Sequence, residues 1–256
     1  MYDSISSSSI LHFTSSIQSL SGILKDGFKI KYCLEYVPYK SNNGSLQYAF
    51  PMVCFCDIPI NKAQTQMSNY GKYGFGLSRD WAIKMKMNPV LYIDSNSLVE
   101  ASITELFHWS INHFNENPEH ILNAKDVALR PLFNLFAFTK QFKGFNSFKN
   151  DPSFKFYDER EWRYVFTQYV QELDSDIVPL IPGKTYISNK DKYNQNLIDN
   201  YLIFTIEDIQ HIIVETDQEI PEIMRILEDN IKCQDKSQLD ILKTRILSVQ
   251  RLISDF

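Results

Sequence analysis

The chain is short of glycine, with eight in 256 residues. It has no apolar run long enough to cross a bilayer, so no membrane partner is expected. Its four cysteines, Cys33, Cys54, Cys56 and Cys233, do not form the paired spacing of a disulfide framework, and their scatter suits a reducing compartment. Positive charge is not in excess: 26 Lys and Arg stand against 31 Asp and Glu. That balance gives no support to a general nucleic-acid-binding surface, although a local basic patch is compatible with it. The N-terminal Met1-Tyr2-Asp3-Ser4-Ile5 lacks the basic and apolar regions of a secretory signal, and no internal repeat is visible. These absences point to a soluble cytoplasmic protein.

Against them stand 44% hydrophobic, 22% charged and 14% aromatic residues, among them 18 Phe and 14 Tyr. The length accommodates one sizeable core, so residues 1–256 are expected to form a single domain. Ile10–Thr14 reads as a strand feeding a helix, capped by Thr14 or Ser15 and closed by Gly27. Residues 28–50, with Tyr32, Tyr36, Tyr39, Tyr48 and the turn-like Ser41–Gly44, suggest an irregular loop over a pocket. Met52–Pro59 is an interior strand. Ser78 can cap a short helix, and Val90–Ile93 is a strand. Helical spacing from Ser97 to about Phe114 and from about Lys125 to Phe142 predicts an inserted helical hairpin at about 97–142. Pro131 kinks the second helix or moves its start later. Residues 143–156 read as a loop with a modest basic patch, Glu161–Phe166 as a strand, and 183–199 as loop. Tyr201–Phe204 and His211–Val214 read as strands, Pro221 starts a helix, and the tail from Leu239 to Ile253 is a helix or a helix ending in a strand. Such mixed, irregularly alternating elements predict an α+β fold.

Two sets of residues raise the question of a metal. Cys54 and Cys56 have no partner pair elsewhere, and His108, His113 and His120 do not share one helical face. No metal is expected. The three glycines Gly71, Gly74 and Gly76, interleaved with Tyr70 and Tyr73, mark a backbone that bends tightly or is approached closely. Either a packed turn or the lining of a site for a planar ligand satisfies that pattern. His12 and Thr14 share one face of a strand and suit a ribose or diphosphate. Glu159 and Glu161 also alternate. They could divide the work at a sugar, one carboxylate holding the ribose and one stabilising positive charge as a leaving group departs; cross-strand salt bridges with Arg160 and Arg163 are the plainer alternative. Together these are the parts needed to break the nicotinamide–ribose bond of NAD.

Several of these motifs resemble the AbiGi family of abortive phage-resistance proteins. They are Leu11-His12-Phe13-Thr14 with Leu20, Ile23, Leu24 and Gly27; Pro51 through Pro59; Tyr70-Gly71-x-Tyr73-Gly74-x-Gly76-Leu77-Ser78; Asn88 through Tyr92; and Glu159-x-Glu161-Trp162-Arg163. That resemblance implies bacterial antiviral defence and an antitoxin-like half of a two-component system. More distantly, the chain is similar to ADP-ribosyltransferases of the histidine–tyrosine–glutamate type, including the DNA-modifying DarT toxins. This implies a split β-sheet core, with His12, Thr14 and Ser78 binding NAD, Tyr70 or Tyr73 stacking on nicotinamide, and Glu161 or Glu159 catalytic. The expected activity is an NAD-dependent ADP-ribosyltransferase-like effector acting on a nucleic acid or protein acceptor. The alternatives are a non-enzymatic antitoxin that binds a cognate toxin and an NAD glycohydrolase.

Overall fold

A run of small and apolar residues with a partner on either side makes Ser9–Thr14 (β1) an interior strand. The computed structural model describes residues 7–41, 44–114, 130–146, 149–166, 177–230 and 236–255. In chain order, β1 leads to the helix Ile17–Asp26, which Ser16, rather than Thr14 or Ser15, caps by accepting the Ser19 N–H at 3.2 Å. Gly27 ends the helix at φ +91°, and its N–H donates to the Ile23 carbonyl. Then follow β2 (Phe28–Lys29), β3 (Lys31–Ser41) and β4 (Gly44–Cys56).

Residues 28–50 are therefore not an irregular loop. They form a long antiparallel ladder from Lys31↔Met52 to Ser41↔Gly44, with a register shift between Val37 and Lys40 that accommodates Pro38. The polar, turn-rich composition masked a strand whose odd positions Cys33, Glu35 and Val37 face one side.

The helix Gln64–Tyr70 precedes β5 (Tyr73–Ser78), and Ser78 caps the helix Arg79–Lys84 by accepting the Trp81 N–H at 3.2 Å. Next come β6 (Asn88–Pro89), β7 (Leu91–Ile93), the helix Leu98–Phe114 and, beyond residues 115–129, the helix Arg130–Ala137. The latter is shorter than its periodicity suggests: Thr139–Gln141 is a strand (β8) parallel to β7. The basic stretch that follows is a hairpin of β9 (Gly144–Asn146) and β10 (Asp151–Phe154) rather than a loop. A 3₁₀ turn at Phe156–Glu159 leads into β11 (Glu161–Val165), and β12 is Ile181–Pro182.

Residues 183–199, expected as loop, carry the helices Gly183–Ser188 and Lys190–Gln195. Tertiary hydrogen bonds hold this polar segment: Asn194 accepts the Tyr32 N–H at 3.0 Å, and the Tyr186 hydroxyl donates to the Tyr32 carbonyl at 2.8 Å. The chain closes with β13 (Tyr201–Leu202), β14 (Ile209–Val214), the helices Ile220–Asn230 and Lys236–Lys243, β15 (Ile246–Ser248) and the helix Val249–Asp255. The proposed helix start near Lys125, the side chains of Tyr39, His113 and His120, and Cys233 lie outside the described residues.

The main sheet runs β15-β14-β5-β1-β4-β11-β6, with β3 and β12 also paired to β4. Between β1 and β4 the only register pair is Leu11↔Cys56. Cross-strand partners share a face of a sheet. Glu161, Cys56, Leu11, Gly76 and His211 therefore form one row across five strands, on one face. Trp162 and Phe55, and His12, Phe75 and Ile212, belong to the opposite face. That opposite face carries the largest core, covered by Leu20, Trp81, Ile223 and Leu227 of three helices. The first face holds two smaller apolar clusters, one around Phe13, Met67 and Ile213, the other around Phe50, Phe107, Phe136 and Val165.

Candidate functional site

Polar side chains occupy the seam between those two smaller clusters. Strand β11 is buried along its whole length, so Glu161 and Arg163, two residues apart, turn together into the protein. Arg163 is 0% exposed, and each of its five N–H donors has an acceptor. Nε donates to Glu161 Oε1 at 2.6 Å, one terminal nitrogen to the Ala137 and Thr139 carbonyls at 2.7 and 3.3 Å, and the other to Glu161 Oε2 at 3.3 Å and Glu35 Oε2 at 2.9 Å. The guanidinium thus joins β11 to β3 and also satisfies the end of the helix Arg130–Ala137.

Lys140, from β8, completes the cluster. Its Nζ lies 2.7 Å from Glu161 Oε2 and 2.9 Å from Glu159 Oε2, and 4.9 Å from the centre of the Phe156 ring. The Tyr70 hydroxyl donates to Glu159 Oε1 at 3.0 Å, and the Tyr92 hydroxyl accepts the Glu161 N–H at 2.7 Å. Burial alone would raise the Glu161 pKa, but Arg163 and Lys140 outweigh it and hold the carboxyl well below its ordinary range. Burial likewise works against the charge on Lys140 and Arg163, and the surrounding carboxylates reverse that, raising both. Glu161, Arg163 and Lys140 keep their charges, each paired within the cluster.

The expected site residues reach different places. Tyr70, Glu159 and Glu161 come together around Lys140. Glu159 does so from a 3₁₀ turn rather than from the strand, with Arg160 between the two glutamates in a left-handed conformation at φ 46°. His12 lies on the other face, where its Nδ1–H donates to the Cys54 carbonyl at 2.8 Å and its ring packs against Phe28 and Phe55 at 4.9 and 5.4 Å. Burial lowers its pKa, only partly offset by that hydrogen bond. Thr14 pairs with Tyr73. The Tyr73 hydroxyl donates to Glu219 Oε1 at 2.6 Å, a bond that, with burial, raises its pKa to about 12. Ser78 serves as a helix cap.

Gly71 and Gly74 answer to neighbouring backbone, and Gly76 to neighbouring side chains. A Cβ on Gly71 would lie 2.1 Å from the Thr14 carbonyl oxygen, and one on Gly74 2.4 Å from that of His12. Above Gly76 stands the His211 ring. The close approach expected from the glycine cluster is made by strands β1 and β14.

Glu35, Tyr92 and Lys140 were not expected at the site. Lys140 is separated from Glu159 by 19 positions and has no local signal. Glu35 had one: a lone carboxylate alternating with Cys33 and Val37. A further ion pair lies at the end of β4, where the buried Asp57 accepts from the half-buried Arg79 at 2.8 Å and from the Ser7 N–H at 3.1 Å. Among the described residues no group of three or more His, Cys, Asp or Glu is arranged to hold a metal, and no helix is long and apolar enough to cross a membrane.

Fold and site define an α+β protein built around a buried, internally paired ionic cluster. The family described as "Putative abortive phage resistance protein AbiGi, antitoxin" matches residues 26–215, and the chain belongs to this family. It is also similar to the abortive phage resistance protein AbiGi of Lactococcus lactis subsp. cremoris, with 27% identity over 254 residues, covering 87% of this chain and 96% of that protein. No solved structure matches.

Proposed function

We propose that the protein acts in abortive phage defence as the neutralising partner of a toxin, working by binding rather than by catalysis. The observation that carries this reading is the engagement of the chemically capable side chains within the fold. Glu161 lies between Arg163 and Lys140, Glu159 between Lys140 and Tyr70, Tyr73 on Glu219, and His12 on the Cys54 carbonyl. A carboxylate that stabilises positive charge on a substrate must face that charge, and Glu161 and Glu159 instead accept from Arg163, Lys140 and Tyr70 within the fold. The antitoxin description of the family supports the same reading.

The test is genetic. Deleting the gene in its native host is expected to arrest growth, with suppressor mutations falling in the toxin gene; overexpressing the protein alone is expected to be harmless. Arrest caused by the protein alone would overturn the proposal.

One observation favours a second reading, transfer of ADP-ribose from NAD. Tyr70, Glu159 and Glu161 do converge, and Tyr70 as a whole residue is 44% exposed beside them. Incubation of the purified protein with labelled NAD and lysate distinguishes the two. Label moving to nucleic acid or protein would establish a transferase, free ADP-ribose a glycohydrolase, and intact NAD would leave binding as the activity.

A further inference from the structure

The helix Leu98–Phe114 lies against β3 and turns Ile103 and Phe107 into the apolar cluster built on Phe50 and Val165. At about 100° per residue, Leu98, Val99, Ser102, Leu106 and Trp109 form a second stripe on the same cylinder, beside the buried one. That stripe faces solvent: Leu98 is 87% exposed, Val99 47%, Leu106 43% and Trp109 55%. Leu98, Val99, Ser102, Ile103 and Leu106 line a shallow, open depression on the helix surface. Contiguous exposed apolar stripes mark recognition surfaces far more often than singly scattered apolar residues do.

Charge identifies the occupant. The helix sequence LVEASITELFHWSINHF holds Glu100 and Glu105 and no Lys or Arg, and Asp94 lies just before it. Glu105 is exposed and borders the stripe, while Glu100 is turned back to accept the Asn96 N–H at 2.6 Å. Glu105 gives the border negative charge with no Lys or Arg on the helix to offset it, so the complementary partner carries Lys or Arg beside its own apolar side chains. We propose that this stripe docks an amphipathic segment of the toxin, apolar on one face and basic along its edge. The proposal rests on the neutralising reading above and deepens it by naming the surface and the chemistry it recognises.

The experiment complements the gene deletion with wild type, Leu98→Lys/Leu106→Lys, Glu105→Lys and, as a control on another exposed apolar residue, Ile187→Lys (61% exposed). Each purified variant is also titrated with the toxin identified by the suppressors. The double variant is expected to melt like wild type, to lose about 100-fold in affinity and to fail to support growth. Glu105→Lys is expected to lose about tenfold at low salt and less at high salt, and Ile187→Lys to behave as wild type. A folded double variant that binds and protects like wild type would overturn the docking surface while leaving toxin neutralisation standing. Failure of wild type itself to restore growth would overturn the neutralising reading, and the surface with it. A concentration-dependent dimer dissolved by the double variant, with toxin affinity unchanged, would assign the stripe to a second copy of the chain and overturn the proposal.

Discussion

Arg163 shows how one side chain can commit a region of the protein. Its five donors meet two carboxylates and two carbonyls drawn from β3, β8, β11 and the end of the helix Arg130–Ala137. Removing one partner of such a group leaves the others desolvated and unpaired, which costs about 3–5 kcal/mol. Arg163→Met is expected to lose that amount in urea denaturation, and Glu161→Gln a comparable amount. Because the two share one network, the double variant should lose clearly less than the sum. Single variants as stable as wild type would show that the cluster contributes nothing. A loss of NAD chemistry in Glu161→Gln is therefore interpretable only beside its stability, since the residue that the sequence marks as catalytic is also a structural anchor. Glu161 and Arg163 were legible together in Glu-x-Glu-Trp-Arg; that they are buried, and that Lys140 joins them, was not.

At the scale of elements, two glycines make opposite predictions. Gly71 ends the helix Gln64–Tyr70 at φ +114°, and a Cβ there would meet the backbone of Thr14 and Ser15. Gly71→Ala is expected to cost about 2 kcal/mol or more, from backbone strain together with displacement of β1. Gly22 lies inside the helix Ile17–Asp26 with nothing within 4 Å of its Cβ position. Gly22→Ala should therefore stabilise the protein by about 0.5–1 kcal/mol. Thermal melts of the two variants, shifting in opposite directions, check both; a shift of the same sign would refute the assignment of strain to Gly71. Helices with a strong apolar period or a distinct cap were readable from the chain, as at Leu20, Ile23 and Gly27 or at Ser78. The β3–β4 ladder and the helices at 183–195 were not, because cross-strand pairing and the hydrogen bonds from Tyr32 stabilise sequences whose local composition favours turns.

The whole molecule carries its buried titratable groups into a defined pH range. Burial lowers the pKa of His12 and His211 from the ordinary 6.5, so below that value the unfolded chain binds more protons and stability falls. Glu161, despite the opposing effect of burial, is held down by Arg163 and Lys140; its contribution is complete above the ordinary 4.5 and is lost as pH drops below it. On the alkaline side, burial of Tyr92, and partial burial of the Tyr70 hydroxyl beside the Glu159 carboxylate, keep both neutral beyond their ordinary 10.0, and Lys140, whose neighbouring carboxylates overcome burial, stays charged beyond 10.5. The contributions of these three are present at neutral pH and are lost as pH rises past those values. Denaturant midpoints should be level from about pH 7 to about pH 8, where the Cys54 and Cys56 thiols, kept neutral by the fold, begin to lose out to their ionised unfolded forms, and should fall in two stages toward acid. The lower stage should flatten in Glu161→Gln. A single loss centred on neutral pH would contradict the burial of both carboxylate and histidines. The docking stripe belongs to this scale as well, since Ile103 and Phe107 hold its helix on the sheet while Leu98 and Leu106 remain exposed.

The α+β class, the strands around His12, Phe55 and Trp162, the helix from Leu98 and the family resemblance follow from residue order alone. Periodicity, caps and motif spacing are local properties, present before the chain folds. Which residues share a site was decided only in three dimensions. The single Leu11↔Cys56 register pair sets the row in which Glu161 lies and sends His12 to the opposite face of the sheet. Side chains alternate along every strand, so a shift of one position would exchange those faces. Lys140 reaches Glu159 and Glu161 only because β8 lies parallel to β7, beside Tyr92. The chain carries the charges; strand register decides which of them meet.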